Sequence, residues 1–387
     1  MSAPAPKPFS LAIPDAAVAD LRERLARTRW PDEPPHEPWS SGTSVAYLEG
    51  LADYWRTGFD WRQWEAKLNA FPQFTVPIRG IDVHFIHAPG RGPNPVPLLL
   101  SHGWPGSVFE FHKLIPLLTE QFTVVAPSLP GYTLSFKPGQ PRFGVVEIAE
   151  TFAELMTVLG YQRFAAQGGD WGAFVSSVLG HRFPERLIGI HLNFLAVRRD
   201  GKLGAEPTPQ EKTFLAELNH FLKEETGYQW IQGTRPQTLA FGLTDSPTGL
   251  AAWIVEKFRA WTDCNGNPEN AVSRDEMLAN ISLYWFTGAG SSFWPYYARM
   301  HGPWPIPEGE TVKVPTGYAE FPKEILHPPR SFAEKTYADI RRWSVMEKGG
   351  HFAALEQPDA LAREVKEFFS DLRCLRTVSS EAARRMN

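Results

Sequence analysis

Cysteine is nearly absent. The 387 residues hold two, Cys264 and Cys374. They lie far apart in sequence. That excludes a disulfide framework or a cysteine-built metal site, and it fits a reducing compartment. A dominant charge of one sign is also missing. With 39 Lys and Arg against 43 Asp and Glu, the net charge is −4. Neither nucleic acid nor an anionic membrane surface is implied as a partner. No apolar run approaches the roughly 20 residues that a membrane-spanning helix needs. The opening MSAPAPKPFSLAIPD lacks a charged stretch followed by an apolar one, so it does not read as a signal peptide. There is no H-E-x-x-H, no G-x-G-x-x-G and no P-loop. His84 and His87 stand three apart in an expected strand, which puts them on opposite faces. We therefore expect no metal, no cofactor and no nucleic acid partner, and a cytoplasmic location.

What is abundant is apolar and aromatic. Hydrophobic residues make up 43% of the chain, enough for a large core. There are 14 Trp and 35 Pro. The tryptophans at 230, 253, 261, 285, 294 and 304 crowd one stretch. They are either large core residues or the walls of an aromatic pocket.

Periodicity divides the chain. Residues 1–75 read as helices and loops, with Val18, Leu21 and Leu25 on one face and Trp61, Trp64 and Leu68 on another. QFTVPI and IDVHFIHA, joined by Arg79-Gly80, form an expected hairpin. From there to residue 197, strands such as PLLLS, FTVVAP, the run at Phe164–Ala166 and LIGIHLNF alternate with helices, one of them at about 147–159. The stretch 198–305 loses that alternation and reads as a helical insertion. Strands return in KVPTGYAEFP and RRWSVM within 306–372, and PDALAREVKEFF closes the unit. Residues 373–387 form a polar tail, expected to be poorly ordered. The alternation implies an α/β fold: a mostly parallel sheet flanked by helices, with an inserted cap. Chemistry in such sheets sits beyond the carboxyl ends of the strands.

One such end carries AAQGGDWGAF. A strand, a glycine-flanked turn and an apolar helix make the setting of a nucleophile elbow, with Asp170 where a serine is usual. The plain alternative is that Asp170 caps the helix. The rest of the chain argues against it. Glu324 and His351 follow in the order nucleophile, acid, histidine, each just past an expected strand end. Gly349-Gly350 allows a sharp bend before His351. A carboxylate is already ionised and can attack an sp³ carbon directly, which gives an alkyl ester of Asp170. His351, held by Glu324, would then activate water against the ester carbonyl. That step needs backbone donors for an oxyanion. Trp171, next after Asp170, supplies one and Trp104 in HGWPGS another. A cis Trp104–Pro105 bond is open at this stage. His102 is read as structural, since His351 has the carboxylate partner.

These residues carry a resemblance. HGWPGSVFEF, GGDWGAF, GYQWIQGTRPQTLAFGLTDSPTGLAAWIVEKF, VPTGYAEFPKEI and GGHFAALEQP together resemble the epoxide hydrolases of the microsomal and juvenile-hormone type, on the α/β-hydrolase fold. PFSLAIPDAAVADLRERLARTRWPDE resembles that family's N-terminal extension. The resemblance runs from about residue 8 to 370. It implies Asp170 as nucleophile, His351 as base and Glu324 as its partner. It also implies two cap tyrosines that grip the epoxide oxygen: Tyr228, and Tyr296 with Tyr297 as the fallback. A phenol can donate to the alkoxide that ring opening creates. The implied substrate is a small-molecule epoxide, bulky or aromatic if the cap aromatics line the site. Trp104 is expected to help bind it. Microsomal members carry a hydrophobic N-terminal anchor. This chain begins almost at the extension, so a soluble protein is expected; a homodimer is allowed.

Two other readings compete. A haloalkane dehalogenase shares the Asp–His–acid logic and would use indole N–H groups, such as those of Trp104 and Trp171, for a halide. A non-catalytic receptor or binding module could use the same fold, but it would be expected to have lost at least one catalytic group.

Overall fold

The computed structural model of the chain describes residues 5–198 and 206–385, with side chains through Leu372. Nine strands form one sheet: β1 (Lys7–Phe9), β2 (Gln73–Ile78), β3 (Ile81–Ala88), β4 (Val96–Ser101), β5 (Phe122–Pro127), β6 (Phe164–Gly168), β7 (Leu187–Leu192), β8 (Thr316–Glu320) and β9 (Ile340–Val345). Their order is β1-β2-β3-β5-β4-β6-β7-β8-β9. The hairpin β2–β3 turns at Arg79 and Gly80, both at positive φ. It pairs antiparallel with β1 and β5, and from β5 to β9 every pairing is parallel. The central strands β5 and β6 are buried along their whole length. That is what covering a parallel sheet on both faces requires. The parallel α/β architecture expected from the alternation is the one observed.

Chain direction positions the site. From β4 the chain crosses to β5 on one side, then returns to β6 on the other. A crevice opens where such connections diverge. The turn after β4 carries Trp104, and the turn after β6 carries Asp170.

Two elements have no counterpart in the periodicity reading. Strand β1 extends the antiparallel edge by pairing with β2. The helix Val45–Thr57 buries Leu48, Leu51, Ala52 and Trp55. The N-terminal residues also grip the helical insertion. Trp55 Nε1 donates to Ser282 Oγ at 2.9 Å, Tyr54 to Asp275 at 2.8 Å and Thr43 to the Ala252 carbonyl at 2.7 Å. Residues expected to wrap the core thus hold the cap as well.

Between Pro209 and His301 the described chain is helical, with 3₁₀ turns. A second tie joins this region to the core. Glu217, on the helix Pro209–Glu224, takes His327 Nδ1 at 2.6 Å and the His327 amide at 2.8 Å. His327 Nε2 meets the Phe321 carbonyl at 2.9 Å. Burial opposes a charge on His327, but Glu217 outweighs it and raises its pKa to about 9. One expectation is corrected at the C-terminus. The last helix does not stop near residue 372 but runs from Pro358 to Arg385.

Candidate active site

The turn after β6 is tight because helix and strand nearly touch. A Cβ on Gly172 would lie 1.8 Å from the Ser101 carbonyl oxygen, so only glycine lets the helix Asp170–Arg182 pack this close to β4. Asp170 itself sits at φ 45°, a left-handed conformation that costs a non-glycine residue energy and turns its side chain outward. The capping alternative fails. Gly169 occupies the cap position and Asp170 is the first helical residue.

Oδ1 of Asp170 accepts from the Trp104 amide at 2.8 Å. The Trp104–Pro105 peptide is cis. Trp171 is the second residue of the helix, so its amide is among the first four, which have no acceptor within the helix. His102 is spent structurally. Its Nε2 accepts from the Leu129 amide at 3.1 Å, its Nδ1 lies 3.1 Å from the Gly103 carbonyl, and burial lowers its pKa to about 4.

Oδ2 of Asp170 lies 3.4 Å from His351 Nε2. On the far side of the ring, Nδ1 meets Glu324 Oε1 at 2.5 Å. These two residues come from loops after different strands. They meet because Lys323 and Gly350 form a short parallel bridge, with the Lys323 amide on the Gly349 carbonyl at 3.0 Å. Gly349 makes the bend at φ 102°. The His351 amide donates to the Trp261 carbonyl at 2.8 Å, so a cap residue fixes the loop. Glu356 holds it from below, accepting from the Phe352 and Asp263 amides at 3.1 and 2.8 Å. Burial works against a charge on His351, but Glu324 and Asp170 outweigh it and push its pKa up to about 10.

Asp170 opens onto a cavity of about 410 Å³, within the usual size for a small-molecule site. Tyr228, Tyr296, Phe174, Phe194 and Trp304 are among its walls. The two tyrosine rings are 5.7 Å apart. The Tyr228 hydroxyl accepts from the side-chain Nε2 of Gln229 at 2.8 Å. The Tyr296 hydroxyl is buried without a hydrogen-bond partner. The Trp171 indole N–H is near enough to bias it, yet does not reach bonding geometry. Burial, with Tyr228 and Asp170 beside it, holds the Tyr296 phenol in its protonated form. Tyr297 stacks on Trp294 and His301 instead and is absent from the cavity wall. The Trp104 ring also lies off this wall. It is stacked under Tyr228, with centroids 5.2 Å apart and planes 13° apart.

On the other side of Asp170 is a cavity of about 20 Å³, room for roughly one water. Glu110, Gln167, Asn193 and His351 are among its lining residues. Gln167 Oε1 is buried and unpartnered there. Burial raises the Glu110 carboxyl to about 8, with His351 pulling it down and Asp170 pushing it up. Glu110 and Gln167 escaped the sequence reading although both lie within quoted motifs. No local signal marks which polar residue the fold will turn toward a cavity.

Comparison with known proteins identifies the family and the fold. Residues 6–111 match the family model for the epoxide hydrolase N terminus, and 96–193 match that of the alpha/beta hydrolase fold. A relative in Stigmatella aurantiaca, also assigned to the epoxide hydrolases, is 46% identical over 95% of this chain and 85% of its own. Epoxide hydrolase 1 of Oryctolagus cuniculus is 38% identical over 94% and 88%. The crystal structure of juvenile hormone epoxide hydrolase from Bombyx mori superposes with a TM-score of 0.86 at 33% identity, covering 96% of each chain. The chain belongs to the epoxide hydrolases, enzymes built on the α/β-hydrolase fold.

Proposed function

We propose that this enzyme converts an epoxide to a vicinal diol through an ester on Asp170. One observation carries the reading. A single carboxylate lies 3.4 Å from an imidazole and shares a cavity wall with two phenols. An epoxide carbon at Asp170 would place its oxygen toward Tyr228 and Tyr296. Asp170 attacks, the ring C–O bond breaks, and a phenol gives its proton to the departing oxygen.

His351 enters this step as the imidazolium, held so by two anions. Ester formation removes the charge of Asp170, and the imidazolium becomes a stronger acid. Its proton restores the phenol. The neutral imidazole then takes a proton from water, whose oxygen bonds to the Asp170 carbonyl carbon. The small cavity between Glu110, Gln167 and His351 is the place we assign to that water. The oxyanion is met by the Trp104 and Trp171 amides. Collapse releases the diol and returns carboxylate and imidazolium, so protons balance over the cycle. The aromatic walls suit a substrate with a bulky apolar arm. A cytoplasmic location belongs to the same proposal; fractionation of the source cells tests it.

The test is His351→Gln, which should form the ester and fail to hydrolyse it. Intact mass after incubation with aromatic or aliphatic epoxides should rise by the whole epoxide, with the adduct on Asp170. The buried, unpartnered Trp171 indole beside the cavity keeps the dehalogenase reading in view. A gain of an alkyl group from haloalkanes alone would select it. An adduct on another residue would sink the Asp170 ester.

A further inference from the structure

The mechanism above makes no use of one buried charge beside it. Lys257 lies on the cap helix Pro247–Trp261 and is 5% exposed. Its Nζ sits 4.5 Å from the centroid of the Tyr228 ring and 5.3 Å from that of Trp261. Glu256 pairs with it at 2.5 Å. Burying an ammonium costs several kcal/mol of lost hydration even when it is paired. A methionine would fill the same space without that cost. The charge itself therefore calls for an explanation, and the two rings indicate one. The Trp261 carbonyl holds the His351 amide, and Tyr228 is one of the two phenols proposed to donate to the epoxide oxygen.

We propose that Lys257 is a positioning residue for epoxide opening: its ammonium, held over the Tyr228 ring, stabilises the negative charge that grows on the phenol oxygen as the proton leaves. This rests on the Asp170-ester reading. A cation within about 6 Å of an aromatic centroid is attracted to the ring face. The attraction grows as the phenol gives up its proton to the ring-opened oxygen, and it falls back when His351 supplies the proton again. The balance of charge around Tyr228 makes this useful. Asp170 and Tyr296 share its cavity and oppose a phenolate, while Arg299 lines the same wall. Glu256 and Glu225 flank the lysine; burial raises the Glu225 carboxyl and the Lys257 charge draws it back down.

The experiment compares Lys257→Met and Lys257→Arg with the parent, each with Tyr228 present or replaced by Phe, in single-turnover rapid quench. Ester formation should slow about threefold to thirtyfold in K257M. Hydrolysis of ester already formed should keep its rate, and K257R should recover most of the loss. In the Tyr228→Phe background K257M should cost nothing further. Equal slowing of both steps, or the same loss without Tyr228, overturns the proposal. The parent protein separates the two readings: no Asp170 ester there defeats the functional reading alone. Fluorotyrosine at position 228 then tests Lys257 by fluorine NMR. Its ionisation should move up by about half a pH unit or more in K257M. An unmoved titration overturns the proposal.

Discussion

Removing the hydroxyl of Tyr296 should stabilise the fold and cripple the enzyme. The hydroxyl is buried, 6% of the residue is exposed, and no protein group meets the oxygen in hydrogen-bond geometry. A buried unsatisfied hydroxyl costs about 1–3 kcal/mol. Tyr296→Phe deletes it and keeps the ring packed edge-on to Trp171 at 4.8 Å and to Trp104 at 5.9 Å. The melting temperature should rise by roughly 1–4 °C in a chain of this size. Function should move the other way. One donor lost from a developing oxyanion typically costs about a hundredfold or more, and the loss should fall on ester formation. Thermal unfolding and rapid-quench single turnovers measure the two effects on one preparation. Tyr228→Phe supplies the contrast in sign, because it strands the Gln229 side-chain Nε2, which donates to the Tyr228 hydroxyl at 2.8 Å, and should cost about 1 kcal/mol or less. A Tyr296→Phe protein that melts lower, or opens epoxides at the parent rate, would refute the reasoning.

Other substitutions separate the parts of the site. Glu110 has its folded pKa raised to about 8 by burial, so the native state holds its proton. The stability this gives is complete below the unfolded value near 4.5 and is lost as pH rises through 8. Glu110→Gln cannot ionise, so its melting temperature should gain on the parent between about pH 4.5 and pH 8 and keep that gain above it; parallel curves would contradict the assignment. Ester hydrolysis should depend on the same side chain, with Glu110→Ala accumulating ester while forming it at the parent rate. Gly172→Ala would place a Cβ 1.8 Å from the Ser101 carbonyl, backbone against backbone. Helix and strand must part, at a cost above roughly 4 kcal/mol; near-parental melting and activity would show that the turn is looser than it looks.

How much of this was legible depends on the range over which each feature is specified. The parallel strands were legible because strands buried on both faces read as continuous apolar runs, as in FTVVAP. The helix Val45–Thr57 escaped although Leu48, Leu51 and Trp55 follow helical spacing, because Gly50 interrupts it and a Pro-rich stretch precedes it. Strand β1 escaped for a different reason: three residues have no period, and only pairing with β2 makes them a strand. Asp170, Glu324 and His351 could be listed because each lies shortly past a strand end, and strand ends are local. Their meeting was not local, since it rests on the Lys323–Gly350 bridge and on the Trp261 carbonyl. Tyr228 and Tyr296 came only from the resemblance. Trp104 was expected to help bind the substrate; its ring stacks beneath Tyr228, and the residue lines the smaller cavity beside Asp170 and not the larger one. Lys257 was out of reach because a lysine on an amphipathic helix reads as solvated until the fold closes over it.

Under the proposed Asp170-ester mechanism, the arrangement around His351 resolves a conflict that any enzyme with a carboxylate nucleophile faces. The first step needs Asp170 charged and unhindered; the second needs a neutral base a few ångströms away. A neutral imidazole beside two carboxylates would leave buried negative charge uncompensated, and an imidazolium cannot abstract a proton. Glu324 alone does not settle this, because its charge is the same in both steps. Asp170 does, because it is the one anion that chemistry removes. In the proposed cycle, ester formation would weaken the field on His351 so that the ring releases its proton, and ester cleavage would restore the field so that the proton is retained. On this argument Glu324→Gln should slow hydrolysis more than alkylation. The remaining anion in the resting state is Asp170 itself, and after esterification none would be left to support the imidazolium that water activation creates. Single-turnover rates for the two steps decide it, and a variant slowed only in ester formation would reverse the assignment.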